Sequence, residues 1–205
     1  MWRTAATLGR TRRRGKALPT VWFVTDPLRT PDPISIAQDL PRGAGVIFRG
    51  FGRADALATA HGLAKVARRR GLVLLIGADE ALAAEVAADG VHLPERLGAG
   101  LRRLKARRPG WIITLAAHSP GALRRAGHAG ADAVLLSTVF ESRSPSAGRP
   151  IGPLRLAGLA RSSPTAVFAL GGVDARSARR LVGTEAAGFA AVEAFTASPR
   201  PDPRT

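Results

Sequence analysis

The chain has 205 residues, of which 45% are hydrophobic, and it contains no cysteine. This length suits one domain with a full-sized core, and the lack of cysteine excludes a disulfide framework and thiolate metal sites. The longest apolar runs, 72–76 and 111–117, are of strand length and far too short to cross a bilayer. Because no apolar run typical of a secretory signal is present, we expect a cytoplasmic protein without a membrane partner.

The formal net charge of +16 is the unusual feature of the composition. Such a surface attracts polyanions without specificity. However, aromatic residues make up only 5% of the chain, and none interleaves with a basic run, so the sequence does not support a stacking platform for single strands. Arginines on solvated helix faces and in last turns explain the charge more simply. We therefore expect no specific nucleic-acid partner.

Eight short apolar runs predict eight strands. They are residues 21–24, 45–48, 72–76, 90–93, 111–116, 133–137, 166–170 and 188–192. Segments with helical spacing lie between most of them, at 54–69, 80–87, 97–107, 121–129, 154–160 and 175–181. Continuous apolar strands that alternate with helices indicate a parallel sheet covered by helices.

Eight such repeats predict an α/β fold, a single (β/α)8 TIM barrel near the lower size limit of that architecture. A doubly wound open sheet is the alternative, although its glycine fingerprint is absent after the first strand. We expect residues 1–19 to form a basic N-terminal extension, with helix propensity from residue 3 to 16 that could cover a barrel end. The barrel would occupy residues 20–197, with a truncated last helix because residues 198–205 form a proline-rich tail.

In a barrel of this kind, functional groups lie at the carboxyl ends of the strands and in the loops that follow. The side chains predicted there are Thr25, Asp26, Arg49, Asp79, Glu80, His92, Glu95, His118, Ser119, Thr138 and Glu193. A histidine at a strand end could move a proton or hold a loop by hydrogen bonding, and we favour the second role for His92. Two histidines without a matching carboxylate spacing do not predict a metal site.

Two segments suggest anion recognition. The loop 140–149 carries three serine hydroxyls, among them those of Ser142 and Ser144, and two arginine guanidiniums. These groups suit the binding of a phosphate or carboxylate, and a solvated polar loop would have the same composition. Residues 167–174 read as a buried strand, a turn at Gly171 and Gly172, and a helix capped by Asp174. Glycine amides at such a turn can bind phosphate, and a plain strand–turn–helix connection is the alternative.

Taken together, five motifs resemble the thiamine-phosphate synthase and thiazole tautomerase (TenI-type) superfamily. They lie at residues 23–26, 88–93, 117–119, 130–140 and 169–173, within a match that extends from 21 to 195. The resemblance implies a (β/α)8 barrel that is usually a homodimer. It also implies a small-molecule thiamine precursor whose phosphate is held at the last two strand ends.

The synthase branch couples a pyrimidine methyl diphosphate to thiazole phosphate, normally with Mg²⁺, and the sequence departs from its pattern in the metal and diphosphate motifs. Only Arg49 remains of the motif after strand two, Ala78 and Pro94 stand where metal-site residues are expected, and a lysine is missing from residues 142–145. Glu193 replaces a serine at the phosphate end. We therefore expect no certain cofactor, with Mg²⁺ only alongside a diphosphate substrate.

The tautomerase branch lacks much of that machinery and uses a histidine at the position of His118. The sequence thus leaves three hypotheses: a synthase-like transferase, a tautomerase-like isomerase, and a non-catalytic binder or sensor of a thiamine precursor. In the enzyme hypotheses, His118 is the acid/base and Arg49 contacts an anion. The remaining predicted ligand contacts are Gly171, Gly172, Ser142, Ser144, Thr138, Glu193 and His92.

Overall fold

Eight parallel strands close into a barrel in the computed structural model, which describes residues 1–8, 12–13, 16–144 and 147–195. The strands are β1 (Val21–Val24), β2 (Gly45–Phe48), β3 (Val73–Gly77), β4 (Gly90–Leu93), β5 (Ile112–Ala117), β6 (Ala133–Leu136), β7 (Ala166–Ala169) and β8 (Gly188–Ala191). Strand β8 pairs with β1, with Phe189 opposite Val21, and this pairing completes the barrel. The predicted barrel is confirmed, and the open-sheet alternative is wrong.

Helices cover the outside of this barrel. They are α1 (Trp2–Thr7), α2 (Pro33–Asp39), α3 (Ala56–Arg70), α4 (Glu80–Glu85), α5 (Leu101–Arg107), α6 (Pro120–Ala129) and α7 (Gly152–Ser162), with 3₁₀ turns at Glu95–Gly100, Ser177–Leu181 and Glu193–Phe195. Within the described ranges, no helix is both long and apolar enough to span a membrane.

Both faces of the strands are buried, which explains why they read as continuous apolar runs. Trp22 and Phe168 point into the barrel and meet edge to face, with ring centroids 6.3 Å apart. Phe23 and Phe189 point outward into the layer beneath the helices. Gly45 leaves room for the indole inside the barrel, because a Cβ atom there would lie 2.1 Å from the Trp22 ring.

The N-terminal extension is helical over a shorter stretch than predicted. Helix α1 ends at Thr7, and Arg12–Arg13 pairs with Lys16–Ala17 as a short antiparallel ladder. The buried residues Ala5 and Leu8 join the apolar layer outside the barrel, so this part of the chain packs against the side of the barrel. After β8 only a 3₁₀ turn is described, in agreement with a truncated last helix. The predicted tail at 198–205 lies outside the described residues.

Candidate functional site

A cavity of about 1440 Å³ opens at the carboxyl ends of the strands. All the residues predicted to be catalytic or to contact a ligand lie on its wall: Arg49, His92, His118, Thr138, Ser142, Ser144, Gly171, Gly172 and Glu193. The wall also carries four arginines that are not among the predicted ligand contacts, namely Arg29, Arg96, Arg143 and Arg176. The fold therefore gathers side chains that are far apart in the sequence into one pocket, whose wall carries both arginines and carboxylates.

Arg49 follows β2 and is held by the loop that follows β1. Its Nε donates to the carbonyl oxygen of Thr25 over 2.7 Å, and its Nη2 donates to Asp26 Oδ2 over 3.2 Å. Burial lowers the pKa of Arg49 and the Asp26 carboxylate opposes that shift, so the guanidinium remains charged at neutral pH. Arg49 is thus a cation fixed in position on the cavity wall.

Asp26 is shared between two guanidiniums. The Arg29 side chain donates to Asp26 Oδ2 over 2.9 Å, and Arg49 contacts the same oxygen. The hydrogen bond from the Arg29 side chain is the main reason that the pKa of Asp26 falls to about 2. The cluster of Arg29, Arg49 and Asp26 therefore carries two positive charges and one negative charge at neutral pH. Arg29 was missed, although an arginine three residues after a strand-end aspartate is a recognisable signal.

His92 is buried between β4 and β5. Its Nδ1 and the Thr114 hydroxyl form a 2.8 Å hydrogen bond that joins the two strands near the cavity floor. Burial, and then the positive charge of Arg49, lower the pKa of His92 to about 3. The imidazole is therefore neutral at physiological pH, and its hydrogen bond joins β4 to β5, whereas the sequence analysis predicts that it holds a loop.

We expect this buried imidazole to make folding pH-dependent. Because the folded pKa of about 3 lies below the ordinary histidine value of 6.5, the unfolded chain takes up a proton that the folded chain excludes, and stability falls as pH drops from about 6.5 towards 3. At pH 5 the loss is on the order of 2 kcal/mol. Urea unfolding at pH 7 and pH 5 should show this loss in the wild type but not in His92→Gln. The exposed His128→Gln is the control, and equal pH slopes for His92→Gln and wild type would contradict the assignment.

His118 stands at the end of β5, immediately before α6, whose first turn is capped by Ser119. The His118 Nδ1 lies 2.9 Å from the Ser137 hydroxyl, and its backbone N–H donates to Glu95 over 3.1 Å. Glu95 is itself paired with Arg125 at 3.1 Å. These contacts orient an exposed ring and leave Nε2 as the nitrogen for a ligand. The sequence predicts Ser137 only as the last residue of a strand, because no motif indicates that it lies beside His118.

The turn at Gly171 and Gly172 needs glycine for two reasons. Both residues have positive φ angles, +93° and +64°, and a Cβ atom on Gly172 would lie 2.0 Å from the carbonyl oxygen of Glu141. A Cβ atom on Gly171 would lie 2.8 Å from the Thr138 side chain. Within the described part of the chain, neither glycine N–H has a protein acceptor. The turn therefore presents two amide donors at the cavity wall, as a phosphate site requires.

The loop after β6 lies over this turn. The Ser142 hydroxyl accepts a 3.2 Å hydrogen bond from the Ser144 amide, so it holds the shape of the loop. Arg143 Nη2 comes within 3.5 Å of Glu193 Oε2, but the Arg143 side chain is 90% exposed and that of Glu193 is 41% exposed. A pair this exposed neutralises the carboxylate only weakly. Arg143 and Glu193 thus form an exposed pair, and Glu193 lies on the cavity wall.

The residues at the mouth do not fit a preformed Mg²⁺ site. No group of three or more His, Asp or Glu side chains with metal-binding geometry occurs among residues 1–8, 16–144 and 147–195. Three of the nearby carboxylates are already engaged: Asp79 caps α4, Glu95 pairs with Arg125, and Asp26 binds two guanidiniums. Mg²⁺ prefers an octahedral set of oxygens, which these side chains do not supply.

Comparison with known proteins identifies the family. The family model described as thiamine monophosphate synthase matches residues 36–195. A Geobacillus thermodenitrificans thiamine-phosphate synthase is 29% identical over 146 residues, which are 70% of this chain and 66% of that protein. A Symbiobacterium thermophilum protein, named thiamine biosynthesis bifunctional protein ThiM/ThiE, is 32% identical over 137 residues, 65% of this chain but only 28% of that longer protein.

Among solved structures, thiamine phosphate pyrophosphorylase from Pyrococcus furiosus has the same fold. Its TM-score is 0.74 at 23% identity, with 87% of this chain and 91% of that chain covered. At 23% identity this likeness establishes the fold alone. The family assignment rests on the family model, which covers most of the barrel. The chain belongs to the thiamine monophosphate synthase family, which includes the TenI-type proteins.

Proposed function

We propose that this chain acts on a thiazole phosphate of thiamine biosynthesis and that it transfers a proton on the thiazole ring, as a tautomerase-like isomerase. The observation that carries the proposal is a continuous line of contacts. His118 is bonded to Ser137, Ser137 is adjacent in the chain to Thr138, and the Thr138 side chain packs against Gly171. A proton-transfer group and a phosphate-binding turn thus share one wall of the cavity.

The geometry supports a simple proton relay. The N–H groups of Gly171 and Gly172 would bind the phosphate and fix the position of the ring. His118 Nε2 would take a proton from one ring position and return it at another, so that bonds shift with no net gain or loss of atoms or electrons. For Nε2 to take a proton, the neutral ring must carry its own proton on Nδ1, and the Ser137 hydroxyl oxygen would then accept from Nδ1–H both before and after each transfer. None of these steps needs a metal ion.

The second candidate is a synthase-like transferase, in which a pyrimidine methyl diphosphate couples to thiazole phosphate. Arg29, Arg49, Arg96 and Arg176 favour it, because cationic side chains around the cavity could stabilise a departing diphosphate. In that case Mg²⁺ would arrive with the diphosphate. A non-catalytic sensor would bind a precursor and catalyse neither reaction.

Proton NMR with a carboxythiazole phosphate as substrate distinguishes these functions. We expect isomerisation at the same rate with EDTA as with Mg²⁺, and we expect calorimetry with Mg²⁺ alone to show no micromolar binding. Coupling that depends on Mg²⁺ and a pyrimidine diphosphate would support the transferase instead. Binding of thiazole phosphate without either reaction would leave the sensor.

We also propose that the protein is a homodimer that works in the cytoplasm. The family resemblance implies a homodimer, and Leu28 and Leu154, which are 91% and 90% exposed in the single chain, are apolar side chains that an interface could bury. Light scattering after gel filtration measures the mass directly. A mass of one chain at micromolar concentration would contradict the dimer.

Glu193→Ser is expected to tighten the binding of thiazole phosphate about tenfold. Two like charges about 4 Å apart cost on the order of 1 kcal/mol in water and more in a partly buried site. Because Glu193 is half exposed and Arg143 lies nearby, we expect the lower part of that range. Calorimetry should show no change for the unphosphorylated thiazole.

The matched control is Glu80→Ser, which removes a carboxylate of similar exposure, 45%, from outside the cavity wall. If Glu193→Ser leaves both affinities unchanged, Glu193 does not face the phosphate. If Glu80→Ser tightens binding equally, the effect comes from the overall charge of the protein and not from the site.

A further inference from the structure

Helix α1 brings a tryptophan to the ligand cavity. Trp2 lies on the cavity wall, as do Glu193 and Ala194, which follow β8. It precedes residues 36–195, the range that the family model matches, so the family pattern assigns it no role. Its side chain is 37% exposed, whereas a tryptophan in a core would be largely buried. An exposed indole at the mouth of a binding site needs an explanation.

The indole of Trp2 packs against aromatic side chains of the barrel. Its ring lies 5.5 Å from the Phe195 ring, and Phe195 packs at 5.6 Å against Phe23 of β1. Farther along the chain, Ala5 and Leu8 are buried in the apolar layer outside the barrel. Trp2 is thus a positioned aromatic group connected to the barrel, with part of its surface open to the cavity.

The other two tryptophans have structural surroundings. Trp22 is fully buried inside the barrel against Phe168. Trp111 precedes β5 at the opposite end of the barrel, with the Arg108 guanidinium 4.9 Å from its ring. Neither lies on the cavity wall. A fluorescence change on ligand binding can therefore be assigned to Trp2 by substitution.

We propose that Trp2 is a specificity-determining residue, whose indole stacks on the planar heteroaromatic ring of the ligand. The inference rests on the proposed function for the phosphate end of that ligand, which would lie at Gly171 and Gly172. Aromatic rings prefer offset stacking, and one side of the indole is already occupied by Phe195. The remaining surface would favour a flat ring and discriminate against an aliphatic phosphate of similar charge.

Calorimetry on the full chain tests this selectivity with three probes: thiazole phosphate, glycerol phosphate and inorganic phosphate. Trp2→Ala should weaken thiazole phosphate binding about tenfold and leave the other two affinities within about twofold. Trp2→Phe should keep most of the affinity, whereas Trp2→Leu, which is apolar without a ring, should behave like Trp2→Ala. Ligand-induced quenching should be lost in Trp2→Phe and kept in Trp111→Phe.

The outcomes separate this inference from the proposed function. If wild type binds and isomerises thiazole phosphate but Trp2→Ala binds it equally well, the role of Trp2 is overturned and the function stands. Equal weakening of all three probes would also overturn it, since that result indicates a structural role. If thiazole phosphate does not bind but an aminopyrimidine phosphate binds in a Trp2-dependent manner, the function fails and the aromatic site stands. Binding of no aromatic probe would refute both.

Discussion

His118→Ala is expected to lower kcat for isomerisation by about 10²- to 10⁴-fold, the usual contribution of a positioned acid/base. The ring is exposed at the cavity and lies outside the apolar core, so its removal should leave the folded structure unchanged. The affinity for thiazole phosphate should also change little, because the phosphate is assigned to the glycine turn. Progress curves by NMR, with binding by calorimetry, measure the two effects separately.

Two further variants sharpen this experiment. Ser137→Ala removes the partner of Nδ1 and should lower kcat by a smaller factor than His118→Ala, since the imidazole remains but is less well oriented. His128→Ala removes an exposed histidine from α6, away from the cavity wall, and should have no effect. An unchanged rate in His118→Ala would make this histidine structural and would leave the proton relay without its base.

The strands were predictable because their residues are apolar on both faces. Six of the eight predicted strands share their first residue with the structure, and β1, β2 and β4 agree at both ends. Helix α2 was not predicted, although Asp32 caps it and Pro33 opens it, and an Asp-Pro pair is a recognised helix start. The predicted helix at 175–181 is a 3₁₀ turn that begins at Ser177.

The site residues were predictable as a set because the carboxyl ends of all strands meet at one edge. What the sequence could not supply was the pairing of side chains. The approach of Arg143 to within 3.5 Å of Glu193 joins the loop after β6 to the end of β8, and no motif predicted it. The contact of His118 with Ser137 depends on the alignment of β5 and β6, in which Ala117 lies opposite Leu136. Such contacts follow from strand register, which a pattern of apolar runs does not specify.

Gly172→Ala is expected to weaken the binding of thiazole phosphate about 10- to 100-fold, the value of losing one charge-assisted hydrogen bond. The added Cβ atom would begin 2.0 Å from the Glu141 carbonyl oxygen, so the turn and the loop after β6 must move apart. That movement also strains the hydrogen bond from Phe140 N–H to the Gly171 carbonyl oxygen, 3.0 Å in the native turn. Calorimetry should show a much smaller change for the unphosphorylated thiazole.

Gly43→Ala is the matched control, because Gly43 also has a positive φ angle, +81°, but a Cβ atom there meets nothing within 4 Å. Both variants incur the left-handed strain of about 1–2 kcal/mol, and only Gly172→Ala adds a collision beside the cavity. Equal losses of stability with unchanged phosphate affinity in both would place the phosphate elsewhere. A loss of affinity in Gly172→Ala alone would locate the phosphate at this turn. Both substitutions force a positive φ angle on alanine, but only the Cβ atom at position 172 collides with a neighbour beside the cavity.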